Sequence, residues 1–359
     1  MSVPALVVTP EDHHGVAVYA RQVAAEVSRI AGVDVATPVA VLDGPTPPPR
    51  AHLHFTDRLW AASPEEAAVR IEAIARRTRL TVTLHDLPQP SDGARNLGRR
   101  SACYARVVTA SHGVVVNSEH EAALLAEHTL TTAASGPVPV VAIPLPVTPG
   151  AMVVARPEPE PEVAVLGFFY PGKGHAEVVE AVERFHLDPA RSSTHDVGVL
   201  VLGRSSPGHE DELAALVADA GRRGVRVTVT GWLDDAEMLD RCRRVAVPVA
   251  AHRHVSASGS IATWIAAGRR PLVPTTRYSA EMAALRPGTV TLMPAGDAPE
   301  ADSAGLAAAI AAALGDPAST WIADDAVTAP DLHDTALAHL RWFATLEDGI
   351  PTLEDGGAP

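Results

Sequence analysis

The chain is poor in lysine and in cysteine. Of its 29 basic side chains in 359 residues, a single one is a lysine, Lys173. The two cysteines, Cys103 and Cys242, exclude a disulfide framework and point to a reducing cytoplasm. No apolar run approaches the ~18 residues of a membrane span. The first apolar stretch, at 5–8, has no basic flank before it, so no secretory signal is expected. Acidic side chains outnumber basic ones, giving a formal charge of −14. That argues against general nucleic-acid binding. What is present is 47% hydrophobic and 20% charged, the balance of a globular protein. At ~100–200 residues per domain the length suggests two domains.

Short β-rich apolar runs alternate with helical patterns. Strands are expected at 5–8, 39–42, 52–55, 80–84 and 114–117, with another near 138–143. Val16, Tyr19, Val23 and Val27 recur at helical spacing. Residues 64–79 and 119–128 read as further helices. Prolines at 144, 146, 149, 157, 159 and 161 mark 144–161 as an extended linker. The alternation then restarts. Strands are expected at 163–167, 197–203, 225–230, 245–250, 271–273 and 290–293. Helices are expected at 175–185, 211–222, 236–243, 260–267 and 305–314, with a last one at 334–346. The pattern is α/β: two Rossmann-like domains, at 1–150 and 151–330, with a cleft between them. Ligands of such sheets bind beyond the carboxyl ends of the strands.

Five clusters stand out. In Gly167-Phe168-Phe169-Tyr170-Pro171-Gly172-Lys173-Gly174 a strand ends, a turn follows, and the only lysine precedes a helix. An ammonium beside a helix N-terminus is an anion site, best suited to phosphate; the plainer reading is a surface lysine at an ordinary turn. No Walker-type spacing is present. Ser258-Gly259-Ser260 opens a helix, and such small residues let a diphosphate approach the amides. The alternative is a simple serine cap. Arg253 is near enough in sequence to add charge. His252 and His254 stand two apart with no cysteine or carboxylate partner, poor spacing for a metal.

His85-Asp86 closes a strand, where the histidine would face a ligand or Asp86 would merely cap a turn. His13-His14-Gly15 follows the first strand, where the glycine permits close backbone approach or simply turns the chain. Arg95, Arg99, Arg100 and Arg106 form either a solvated face or a peripheral contact with an anionic membrane or acceptor.

Taken in order, these segments resemble the retaining glycosyltransferases of the GT-B architecture, glycosyltransferase family four. Further matching pieces are Asn117-Ser118-Glu119, Thr230-Gly231-Trp232-Leu233-Asp234-Asp235 and Ala266-Ala267-Gly268 with Pro271-Leu272-Val273. The resemblance covers most of the chain. It implies transfer of a hexose from a nucleoside-diphosphate sugar to an acceptor, with no metal and no cofactor. It implies that Lys173 contacts the diphosphate and that Ser258, Gly259 and Ser260 cradle it. It places His85 by the donor sugar, as a catalytic residue with Lys173, and Gly15 close to donor or acceptor; His14 and Asp86 are further substrate-binding candidates. The last helix would cross back onto the N-terminal domain. The chain departs from the family at two places. Phe168 stands where an arginine is usual, and Val255 and Thr263 stand at the two positions of the Glu-x7-Glu pair. Arg204 and Glu281 are the candidates to replace those contacts. Loss of the acidic pair keeps a second reading open, a GT-B-shaped subunit that binds nucleotide or sugar and scaffolds a partner.

Overall fold

The computed structural model describes residues 3–11, 14–129, 138–148, 156–188, 196–252, 254–294 and 299–348. The chain divides into two compact units, Met1–Pro146 with Pro330–Pro359, and Val147–Ala329.

The strands of the first unit are β1 (Ala5–Val8), β2 (Ala36–Pro38), β3 (Arg50–Phe55), β4 (Arg79–Leu84), β5 (Gly113–Val116) and β6 (Val140–Ala142). Its helices are α1 (Gly15–Ala31), α2 (Ala40–Asp43), α3 (Asp57–Trp60), α4 (Pro64–Ala75), α5 (Gly93–Ala110) and α6 (Glu119–His128). The sheet runs β2-β1-β3-β4-β5-β6, all parallel. Side chains of parallel strands alternate between two covered faces. Leu53, Phe55, Val82 and Leu84 therefore pack on one face with Ile71 of α4 and Tyr104 of α5. His52, His54, Thr81 and Thr83 belong to the other. There α1 contributes Tyr19, Val23 and Val27, and the final helix contributes Ala336, Trp342 and Phe343.

The strands of the second unit are β7 (Glu160–Leu166), β8 (Gly198–Leu202), β9 (Val227–Val229), β10 (Val245–Val249), β11 (Leu272–Pro274) and β12 (Thr291–Met293). Its helices are α7 (His175–Leu187), α8 (Glu210–Arg222), α9 (Asp235–Arg244), α10 (Gly259–Ala266), α11 (Arg277–Leu285) and α12 (Pro299–Gly315). The last helix, α13 (Leu332–Asp348), returns to the first unit. The second sheet is again parallel, in the order β12-β11-β10-β7-β8-β9. Successive strands grow outward from β7 in one direction and from β10 in the other. This is the doubly wound arrangement, and the order reverses between β7 and β10.

Three expectations need correction. Residues 39–42 are not a strand. β2 precedes them and ends at Pro38, opposite Val8, the last residue of β1. Beyond that point no strand among the described residues pairs with this segment. The backbone turns on itself instead, with Leu42 donating to Val39 and Gly44 to Val41. The extended linker is shorter than the prolines suggest, because β7 already begins at Glu160 and takes in Pro161. Helix α11 was not anticipated. Its start carries a reciprocal cap between Thr276 and Ser279, which fixes a helix over only nine residues.

Candidate active site

The loops after β7 and β10 leave the second sheet side by side at the reversal of strand order, where ligands of such sheets bind. Lys173 lies on the first loop and α10 opens from the second. Lys173 Nζ stands 3.3 Å from Ser260 Oγ, which is 3.0 Å from Ser258 Oγ. Ser258 caps α10, its hydroxyl accepting from the Ile261 amide at 3.3 Å. Its own amide donates to the Tyr278 hydroxyl of α11 at 3.0 Å. The amides of Gly259 and Ser260 have no partner among the described residues, and the space above Gly259 is open. Two free donors at a helix start suit an anion.

Lys173 is half-buried and has no carboxylate partner among the described residues. The Tyr170 ring lies 5.8 Å from Nζ. Burial pushes its ammonium down to about 8. The close approach of the two loops requires glycine at 174. Its φ is +98°, and a Cβ there would stand 2.6 Å from Ala251 Cβ and 2.7 Å from the Ala251 carbonyl carbon.

Arg204, at the end of β8, is stacked between Phe168 at 5.7 Å and the exposed Trp232 at 5.5 Å. Phe168, which replaces an expected arginine, thus carries a guanidinium from the neighbouring strand. Glu281 lies half-buried on α11, three residues after Tyr278. Thr263 Oγ1 donates to the Gly259 carbonyl at 3.0 Å, and Val255 is half-buried. Arg253 and His13 lie outside the described residues.

A cavity of about 440 Å³ sits between the β7–α7 loop and α8. Its charged lining consists of Glu177, Glu212 and Asp219, the wrong sign for a phosphate. It is separate from the Lys173–Ser260 contact.

In the first unit, His14 caps α1, Nδ1 accepting from the Val16 amide at 3.3 Å. Nothing lies within 4 Å of where a Cβ on Gly15 would be. His85 departs from expectation. It is 6% exposed, and both ring nitrogens are engaged internally. Nε2 stands 3.0 Å from His54 Nδ1, and Nδ1 stands 3.4 Å from Asn117 Nδ2. Asn117 Nδ2 also donates to the Leu84 carbonyl at 3.1 Å and to Glu121 Oε2 at 2.9 Å. The His85 imidazole is not presented to an external group, because β4 continues the polar stripe begun by His52 and His54 and carries the ring under α1. The Tyr19 ring closes over both His54 and His85, at 5.2 and 5.8 Å.

Sequence reasoning missed this stripe as a whole. His52 bonds Thr81 and Thr83 at 2.9 Å each, and its ring lies 5.7 Å from His339 of α13. The period-two spacing of His52 and His54 was the available signal. Burial holds all four imidazoles below their ordinary range, His85 at about 3 and His339 at about 4. Asp86 is exposed with φ 48°. Its carbonyl accepts from Arg100 and from the Tyr104 hydroxyl.

The arginine run is largely paired. Arg99 binds Glu65 and Arg106 binds Glu72, each at 2.7 Å. Arg100 binds Asp57 at 3.2 Å and Asp92 at 2.6 Å. Arg95 is exposed. No helix among the described residues is long and apolar enough to cross a membrane.

No protein-family model matches the chain, and no curated protein does. Solved structures do match. HepE of Anabaena, in complex with UDP and glucose, aligns over 97% of this chain and 100% of its own, with a TM-score of 0.63 and 14% identity. The chain has the GT-B fold. Sucrose-phosphate synthase of Thermosynechococcus elongatus aligns over 84% of this chain and 71% of its own, with a TM-score of 0.54 and 17% identity. The pneumococcal O-GlcNAc transferase GtfA, in complex with UDP and GlcNAc, aligns over 83% of this chain and 56% of its own, with a TM-score of 0.56 and 11% identity. These structural neighbours are GT-B glycosyltransferases.

Proposed function

We propose that the chain is a glycosyltransferase moving a hexose from a nucleoside-diphosphate sugar to an acceptor, with retention at the anomeric carbon and without a metal ion. The observation that carries this reading is Lys173. Its ammonium has no carboxylate partner among the described residues and sits 3.3 Å from Ser260 at an open helix start. A half-buried charge with no carboxylate partner favours an anion, and a diphosphate supplies one. The GT-B neighbours solved with UDP support this class of donor.

As the glycosidic bond breaks, negative charge gathers on the departing diphosphate. Lys173 and the Gly259 and Ser260 amides meet that charge with fixed groups, so stabilisation grows toward the transition state. They fill the role a divalent ion plays elsewhere. The departing diphosphate takes the acceptor proton. Arg204 and Glu281 add donor contacts in place of the acidic pair, and Arg253 adds charge for the diphosphate. Gly15 and His14 serve the sugar or acceptor, and Asp86 lies on the same side. His85 acts as a positioning residue, holding the end of β4 through His54 and through its carbonyl, which accepts from Tyr104 at 2.6 Å. The two buried free cysteines suit a cytoplasmic setting.

The test is turnover of a panel of nucleotide sugars with varied acceptors, by wild type and by Lys173→Ala. Transfer that collapses in the variant supports the reading. A second reading, a catalytically impaired subunit, is favoured by Thr263, whose hydroxyl is committed to the Gly259 carbonyl where an acid is expected. Nucleotide binding without turnover of any donor would select it.

A further inference from the structure

A buried histidine stands beside Lys173. His252 follows β10, is 4% exposed, and its Nδ1 is sealed without a hydrogen-bond partner. Nε2 is not sealed in this way, and no protein group bonds it among the described residues. The backbone brings this ring to the lysine from the neighbouring strand. Ala251, directly before His252, lies against Gly174, directly after Lys173, at the approach that excludes a Cβ. β7 and β10 pair in parallel, so both loops emerge on the same edge. Burial, and then the Lys173 charge, hold the imidazole well below its ordinary range, so the ring is neutral.

A neutral ring has two tautomers. A hydrogen on Nδ1 would bury a donor with nothing to receive it. A hydrogen on Nε2 leaves only a lone pair unanswered, the smaller cost. The donor therefore sits on the nitrogen that remains reachable. No group among the described residues receives it.

We propose that His252 is a further phosphate ligand of this site, its Nε2–H donating to an oxygen of the diphosphate whose charge Lys173 neutralises. This rests on the nucleotide-sugar reading. A neutral donor adds a directed bond without adding charge, so it holds the phosphate's orientation while Lys173 and the α10 amides carry the electrostatics.

Calorimetric titration of the full chain with UDP, GDP, ADP and dTDP identifies a binding nucleotide, and its nucleoside serves as the phosphate-free probe. His252→Ala is expected to weaken diphosphate binding about tenfold and leave nucleoside binding within about threefold. His252→Gln, which sets an amide nitrogen near the place of Nε2, is expected to recover most of the loss. In wild type carrying nitrogen-15 histidine, the Nε2 resonance of His252 is expected to move with diphosphate and not with nucleoside. That readout does not depend on any variant folding. A stationary resonance overturns the assignment. So does a folded His252→Ala protein that binds diphosphate like wild type, or one that loses nucleoside and diphosphate alike. If diphosphate binding falls in Lys173→Ala but not in His252→Ala, the His252 assignment alone fails. If wild type binds none of these diphosphates, the nucleotide-sugar reading fails beneath it.

Discussion

Lys173 and Ser260 meet at 3.3 Å across 87 residues of sequence. The contact joins the two loops that flank the reversal of strand order in the second sheet. It leaves an ammonium with one hydroxyl partner and no protein counter-charge among the described residues.

Lys173→Ala is expected to lower donor turnover by about two to three orders of magnitude, the usual cost of removing one group that stabilises a developing anion. Lys173→Arg is not expected to restore it. The lysine carbon and Nζ already lie 3.7 Å from where a Cβ on Gly167 would stand, and a planar fork needs more room. Steady-state rates of both variants check this; wild-type turnover in the alanine variant would remove Lys173 from the mechanism.

Diphosphate affinity is expected to weaken above pH 8. In the ligand-free protein the Lys173 ammonium is held down to about 8 by burial. It is charged at pH 7 and loses its proton well before an ordinary lysine does. Only the charged form attracts the anion, so the dissociation constant should rise by up to about tenfold per pH unit beyond that point. Titrations at pH 7, 8 and 9 measure it, and Lys173→Ala should show no such slope.

Acid is expected to unfold the first unit early. His85 is depressed to about 3 and His339 to about 4, from an ordinary 6.5, by burial in each case. Below pH 6.5 the unfolded chain takes up protons that the folded one refuses, so stability present above that pH is lost as pH falls toward 4. Each imidazole contributes a slope of roughly 1.4 kcal/mol per pH unit. The two together should remove on the order of 3 kcal/mol between pH 6.5 and 5. Urea midpoints at the two pH values test this, and an unchanged midpoint would refute it.

Gly174→Ala is expected to destabilise the second unit by about 1–3 kcal/mol. The new Cβ meets the Ala251 side chain and backbone, on the loop just after β10, and φ is already +98°. Because Lys173 is the adjacent residue, diphosphate affinity should fall as well. Gly221→Ala, inside α8 with open space around it, serves as the control and is expected to be neutral or stabilising by up to about 1 kcal/mol. Melting temperatures of the pair separate close approach from a general glycine effect.

Much of the second unit was readable from local pattern. β10 and α7 fall at the expected places, because buried parallel strands leave continuous apolar runs and α7 starts straight after a glycine turn. The first unit was less readable at its edge. Residues 39–42 carry a strand-like composition, but a strand needs a partner, and β1 ends at Val8. At the candidate site, the sequence pointed to Lys173 and to the Ser258–Ser260 turn as separate pieces. Tyr278, which receives the Ser258 amide, sits on a helix too short to announce itself by period.

The sequence alone set the alternation of strands and helices, the proline-marked break, and the choice of one lysine among many arginines. Those features are local: period, turn chemistry and side-chain identity act within a few residues. Tertiary structure decided which loops became neighbours. Strand order brings Ala251 against Gly174 and so His252 toward Lys173, and it turns His85 inward against His54 rather than outward. Such pairings depend on how distant elements stack on a shared sheet, and no short stretch of chain encodes them.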